Sequence, residues 1–268
     1  MAEFRLIDSS VFQYQILDLI LSRGFQYGDG FFESMLYSDG KVRLAGFHQE
    51  RMNEALELLG LSSPFHESLT NYLTSRIPAL QNTESCRLKL MIWRKGQGKY
   101  SPTGSEADFV LIASPYEEQH APISTIRVSN KYFLDQHPTS GFKTMSSLAY
   151  VMAGKEAAEQ GNELILLSNK NGFLAEGLSS NLFLFRKGQL YTPPLTSGCI
   201  NGVVRRWMLS NNDPMLNDLW FKADDLKPED QLFLANASGL RVIQQLEQIK
   251  LNVQEDFAEQ LREKIYGS

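Results

Sequence analysis

Residues Asn162–Tyr191 read NELILLSNKNGFLAEGLSSNLFLFRKGQLY. Apolar runs of strand length alternate there with the turn pairs Asn171-Gly172 and Lys187-Gly188, so the stretch predicts a β-meander. Past Pro193 and Pro194, the Gly-containing segment Ser197–Gly202 leads into Val203–Leu209, where the apolar spacing turns helical. A helix beginning at Gly202 or Val203 presents amides without intrahelical acceptors at the positive end of its dipole. Gly198-Cys199-Ile200-Asn201-Gly202-Val203-Val204-Arg205 therefore has two readings, a glycine that merely caps a surface helix or a backbone cup for a phosphate.

Upstream of the meander, a short strand is expected at Ile126–Val128 and a helix from Ser147 to Gln160, closed by Gly161. Downstream come a strand at Gln231–Ala235 and a last helix near Phe257–Ile265. The polar stretch Tyr116–Pro122, bounded by Pro115 and Pro122, reads as a linker, which divides the chain into residues 1–115, 116–122 and 123–268. In the N-terminal part, Phe31–Tyr37, the turn Ser38–Lys41 and Val42–Leu44 form a β-hairpin pattern. Met52, Ala55, Leu56 and Leu59 then mark an amphipathic helix starting at Phe47, with Gly60 placed for a left-handed cap. Strands at Leu88–Trp93 and Phe109–Ala113 flank a loop carrying Gly96, Gly98, Pro102 and Gly104, which reads as functional. Strands and helices of both spacings define a mixed α/β (α+β) chain.

The 268 residues are 43% hydrophobic and 21% charged, as in an ordinary globular protein, which excludes collagen-like and wholly disordered classes. A net charge of −5 without a Lys/Arg-rich run argues against a nucleic-acid or anionic-membrane surface. The longest apolar stretches are strand-sized, the first dozen residues lack an uninterrupted apolar region, and Cys86 and Cys199 form no CxxC pair, so a cytoplasmic protein is expected. The four histidines have no metal-ligand spacing, and no GxSxG, P-loop or GxGxxG fingerprint is present, so no metal site, serine hydrolase, P-loop NTPase or Rossmann dehydrogenase is expected.

Three side chains have two readings each. Arg51, on the helix after Phe47, is a solvated residue paired with Glu50 or Glu54, or a phosphate clamp. Glu176, between a turn and a strand, is a turn carboxylate or a buried proton partner. Lys143, between Phe142 and a helix entrance, is an exposed lysine or an amine that attacks a carbonyl.

Taken in order, several segments resemble the class IV pyridoxal-phosphate enzymes, among them branched-chain aminotransferase, D-amino acid aminotransferase and aminodeoxychorismate lyase. They are Phe25–Glu33, His48–Met52, Phe142–Thr144, Glu176–Phe183, Tyr191–Pro193 and Asn201–Arg205. The resemblance runs from about Gly24 to Val242. It implies a two-domain fold-type IV architecture, with a small N-terminal α/β sandwich, a larger C-terminal pseudo-barrel domain and pyridoxal 5'-phosphate between them, usually in a homodimer. It assigns Lys143 to the Schiff base and Glu176 to the pyridine nitrogen. Arg51 and the Val203 and Val204 amides would hold the phosphate, with a further contact from Asn236 or Ala237. Ser180, Asn181, Ile200 and Gly202 complete the implied cofactor set, and Phe32, Arg94, Lys99 and Tyr100 the substrate set.

Asn201–Arg205 and the Asn236-Ala237 pair look most like aminodeoxychorismate lyase, which releases pyruvate and 4-aminobenzoate from a chorismate-derived amine in folate biosynthesis. A class IV aminotransferase for branched-chain or D-amino acids is the alternative, and a non-catalytic relative the third. Departures from the family pattern concern substrate more than cofactor: Lys99 stands where arginine is common in a loop one residue shorter, Met145-Ser146-Ser147 stands where an Asn is usual, and Val204 replaces a hydroxyl residue.

Overall fold

A computed structural model describes residues 5–11, 16–76, 85–117, 119–211 and 216–267. The chain divides into two compact units, Met1–Glu117 with Phe142–Ser146, and Glu118–Gly141 with Ser147–Ser268. The change of unit at 117/118 falls inside the expected linker, of which position 118 lies outside the described residues. The segment around Lys143, assigned by sequence to the C-terminal part, groups instead with the first unit.

In the first unit β1 (Arg5–Ser9), β2 (Gly30–Ser38), β3 (Lys41–Val42), β4 (Ser85–Arg94) and β5 (Ala107–Pro115) form an antiparallel sheet in the order β1-β5-β4-β2-β3. Its helices are α1 (Ile16–Leu21), α2 (Arg23–Tyr27), α3 (Ala45–Leu59) and α4 (Leu69–Arg76). Alternation along β2 sends Phe31, Met35 and Tyr37 into a core with Leu88, Leu90 and Ile92 of β4, and α3 contributes Met52, Ala55 and Leu56. The expected hairpin and helix are both present, and Gly60 ends α3 with a left-handed φ of 61°. Sequence periodicity did not reveal β1, α1, α2 or α4, which are short and have no clear stripe.

The backbone around Lys143 is pinned to β2. The Phe32 N–H donates to the Lys143 carbonyl at 2.8 Å and the Met145 N–H to the Gly30 carbonyl at 3.0 Å. The Phe142 ring meets Phe31 edge-on at 6.0 Å.

The second unit begins with β6 (Arg127–Leu134), α5 (Leu148–Glu159) and β7 (Ile165–Asn169), a parallel pair joined through a helix. β8 (Leu174–Gly177), β9 (Asn181–Arg186) and β10 (Gln189–Thr192) continue as the expected antiparallel meander. Lys187 and Gly188 both take positive φ, 52° and 79°, as a two-residue hairpin turn between β9 and β10 requires. After α6 (Val203–Ser210), β11 (Leu216–Asp218) pairs with β10, and β12 (Gln231–Asn236) pairs with both β9 and β13 (Gly239–Ile243). The small pair β14 (Gln245–Leu246) and β15 (Ile249–Lys250) and the helix α7 (Glu255–Tyr266) close the chain. β9 lies between β10 and β12 and meets β8 only where Asn181 pairs with Glu176, which brings those two side chains together. Among the described residues, no helix is long and apolar enough to cross a membrane.

Candidate active site

Within the first unit, Lys143 is half-buried and its Nζ lies 5.8 Å from the Phe32 ring centroid, on which the Lys89 Nζ also bears at 4.7 Å. On the opposite face of β2, Glu33 enters the core with the α3 residues His48 and Arg51. Arg51 grips Glu33 bidentately, Nε to Oε1 at 2.8 Å and Nη2 to Oε2 at 2.6 Å, while His48 Nδ1 contacts Oε2 at 2.6 Å. The reading of Arg51 as a solvated residue paired with Glu50 or Glu54 does not match this arrangement. The guanidinium is 2% exposed and its partner is Glu33, 18 positions away, rather than Glu50 or Glu54. Burial opposes ionisation of Glu33, but the Arg51 charge and hydrogen bonds, aided by His48, outweigh it and hold the carboxyl at about 2. Burial lowers the His48 pKa, with Glu33 opposing, so the neutral ring prevails at pH 7. Of the arginine's nitrogens, Nη1 is the edge that this pairing leaves for an anion.

Arg94, expected to meet substrate, does not have its guanidinium available for one. It is buried at the end of β4, with Nε on Asp29 at 3.1 Å, Nη1 on the Gly60 and Gly104 carbonyls and Nη2 on the Leu59 carbonyl at 2.5 Å. The Leu59 and Gly60 carbonyls end α3 and have no intrahelical donor, so a cation there satisfies a helix C-terminus, while the Gly104 carbonyl ties the same guanidinium to the loop before β5. Arg23 closes the same cluster through Asp29 at 2.6 Å and the Lys99 carbonyl. Lys99 and Tyr100 are exposed, and the Tyr100 ring tilts against Tyr27 at 5.5 Å.

In the second unit, Glu176 sits on β8 at 2% exposure, which makes it a buried residue and not a turn carboxylate. Its Oε1 accepts the Tyr150 hydroxyl at 2.6 Å, and its Oε2 accepts the Ile200 N–H at 3.1 Å and Asn181 Nδ2 at 3.4 Å. Asn181 Nδ2 also donates to the Ile200 carbonyl at 2.7 Å. α6 starts where expected, with Gly202 as its N-cap and no side chain capping its amides. A Cβ on Gly202 would lie 2.0 Å from Asn181 Oδ1, so this position demands glycine for space. Asn236 spends its side-chain amide on Ser180 Oγ, 2.9 Å, and the Ser179 carbonyl, and its Oδ1 accepts the Ser238 N–H, so the side chain ties the β12–β13 turn to the segment before β9. Ala237 is buried within that turn. Burial first, and then Glu176, push the Cys199 thiol up to about 12, which makes it inert as a nucleophile.

Glu33, His48, Lys89 and Tyr150 were not singled out from sequence. Glu33 and His48 carried a signal, a charged and a polar residue on faces that the periodicity makes apolar. Tyr150 and Lys89 carried none, since each is ordinary for its element. Among the described residues, no group of three or more His, Cys, Asp or Glu could hold a metal ion.

The amino-transferase class IV family model matches residues 30–246, and the chain belongs to that family. The chain is 26% identical to the branched-chain-amino-acid aminotransferase of Pseudomonas aeruginosa over 203 residues, 71% of this chain and 66% of that protein. It is 26% identical over 239 residues to a provisionally named aminodeoxychorismate lyase of Schizosaccharomyces pombe, 86% of this chain and 97% of that one. To the D-alanine aminotransferase of Staphylococcus epidermidis it is 24% identical over 227 residues, 81% of this chain and 79% of that enzyme. Among solved structures, a branched-chain aminotransferase of Thermoproteus uzoniensis superposes with a TM-score of 0.83 at 21% identity, covering 100% of this chain and 95% of that one. A pyridoxal-phosphate-bound hypothetical aminotransferase of Mycobacterium tuberculosis gives 0.76 at 20% identity, covering 92% of each chain.

The protein is thus a pyridoxal-phosphate-dependent enzyme of the aminotransferase and lyase class, whose members act on small-molecule amines. Its residues fit that cofactor: an uncapped helix start beside an obligatory glycine suits a phosphate, and a buried carboxylate suits a protonated pyridine nitrogen.

Proposed function

We propose that the protein is a lyase that releases pyruvate and 4-aminobenzoate from 4-amino-4-deoxychorismate. The observation that carries this reading is the match to the Schizosaccharomyces pombe protein, which takes in nearly the whole of both chains. The Phe32 ring with the Lys89 ammonium beside it supports it, since an apolar plane with a cation at its face suits a ring acid.

When bound, pyridoxal phosphate supplies an aldehyde for the substrate amine and a ring that accepts the electrons released at the carbon bearing it. Lys143 Nζ would be the amine for that aldehyde and the base for the proton on the carbon bearing the substrate nitrogen. The enolpyruvyl oxygen leaves the neighbouring carbon and the ring becomes aromatic, so the reaction balances with no second substrate. Arg51 Nη1 and the Val203 and Val204 amides would be the phosphate's partners, with Gly202 for close approach and Ile200, Asn181, Ser180, Asn236 and Ala237 completing the cofactor set. Glu176 would hold the proton at the pyridine nitrogen, and Phe32, Lys99 and Tyr100 would contact substrate.

A cytoplasmic homodimer serving folate biosynthesis completes the proposal. Cys86 and Cys199 are both buried thiols, which suits a reducing compartment. Leu148 and Val151 on α5 and Ile16 and Leu17 on α1, all more than 60% exposed, are the apolar groups that a second subunit would cover.

Incubation with aminodeoxychorismate and no keto acid tests the reaction. Sustained 4-aminobenzoate formation is expected, and its loss in Lys143→Ala. Turnover of an amino acid that requires a keto acid, with no 4-aminobenzoate, would instead make the enzyme an aminotransferase, the reading favoured by the branched-chain and D-alanine relatives.

A further inference from the structure

We propose that Tyr150 is a positioning residue that, through its hydroxyl on Glu176, keeps a proton on the cofactor's pyridine nitrogen and off the carboxylate. The inference rests on the reading that Glu176 meets that nitrogen.

The Tyr150 hydroxyl lies 2.6 Å from Oε1 and comes from α5, whereas the Ile200 N–H and Asn181 Nδ2 both approach Oε2, at the longer distances of 3.1 and 3.4 Å. Each carboxylate oxygen thus has its own donor, and the plane of the group is set from two sides. Burial and the neighbouring Glu176 charge push the Tyr150 phenol far above its ordinary range, so the hydroxyl keeps its hydrogen and acts only as a donor.

A proton shared between a pyridine nitrogen and a carboxylate resides on the more basic of the two. Donors to the charged carboxylate make it a poorer base and leave the proton on nitrogen. The Ile200 N–H belongs to the backbone and cannot be tuned by substitution, and Asn181 is shared with the Ile200 carbonyl. Tyr150 is therefore a side chain through which this protein adjusts the basicity of Glu176, and it donates to the oxygen that the other two do not reach.

The test is the 15N resonance of protein loaded with pyridoxal phosphate labelled at the ring nitrogen, recorded for wild type, Glu176→Gln and Tyr150→Phe. Glu176→Gln is the control: if it leaves the resonance unmoved, the assignment of Glu176 itself fails, whatever Tyr150 does. With the control shifted, Tyr150→Phe should move the resonance part of the way towards that of an unprotonated pyridine, and raise the cofactor dissociation constant about tenfold. Replacing Tyr150 by 3-fluorotyrosine keeps the ring and strengthens the donor, so its resonance should lie at or beyond wild type on the protonated side. This arm also decides the matter if Tyr150→Phe does not fold. A Tyr150→Phe resonance identical to wild type, or a fluorotyrosine shift towards the unprotonated side, would overturn the proposal.

Discussion

Arg51 binds Glu33 with two of its nitrogens while both are almost wholly removed from water. A buried pair of this kind is costly to break from one side, because the survivor keeps its desolvation penalty without its partner. Arg51→Ala is accordingly expected to lose about 3–5 kcal/mol in chemical denaturation as well as cofactor affinity. Adding Glu33→Gln should return much of the stability but not the affinity, which separates the structural part of the arginine from its phosphate contact. The same pair sets an acid limb. Glu33 titrates at about 2 in the folded protein against an ordinary 4.5, so its stabilisation is full above about pH 4.5 and drains away as pH falls towards 2. Urea midpoints measured across that window should fall less steeply for Glu33→Gln than for wild type.

At the scale of elements, two helix ends are satisfied in opposite ways. The C-terminus of α3 is closed internally, by the Gly60 turn and by Arg94 on its carbonyls. Arg94→Ala should therefore cost about 2–3 kcal/mol of stability while moving the substrate KM less than threefold. A tenfold KM change with stability intact would return Arg94 to the substrate. The N-terminus of α6 receives no side-chain cap, and the glycine before it is required for space and not for φ, which is an ordinary −66°. Gly202→Ala leaves the backbone unstrained but drives a methyl into Asn181. The protein should stay folded by circular dichroism and retain much less cofactor after dialysis, because Asn181 and the Ile200 turn move together. Retention equal to wild type would show that the turn has slack.

For the molecule as a whole, exposed apolar side chains are concentrated on short α1 and at the start of α5, in a chain whose cores are otherwise well buried. Isolated exposed leucines are common, but Ile16, Leu17, Leu148 and Val151 together exceed what solvation alone favours. Sedimentation equilibrium at micromolar concentration should return twice the 30.4 kDa chain mass, and Leu148→Glu with Val151→Glu should lower it towards one. A wild-type monomer would contradict the homodimer.

The sequence by itself was enough for the meander, the helix start at Val203, the hairpin turns, the linker and the class of enzyme, because these depend on local periodicity, turn chemistry and ordered short motifs. Lys143, Glu176 and the Gly202 turn could be singled out as candidates for that reason. Only the tertiary structure decided where the charges went. Glu33 finds Arg51 from a different element, Arg94 ends on carbonyls 34 and 35 residues away, and Tyr150 reaches Glu176 across 26. It also placed the Lys143 segment on β2 of the first unit, through hydrogen bonds to residues more than a hundred positions earlier. Periodicity reports which face of an element is apolar. Which buried donor meets which buried acceptor depends on how distant elements pack, and the high cost of leaving either unpaired is what fixes the answer.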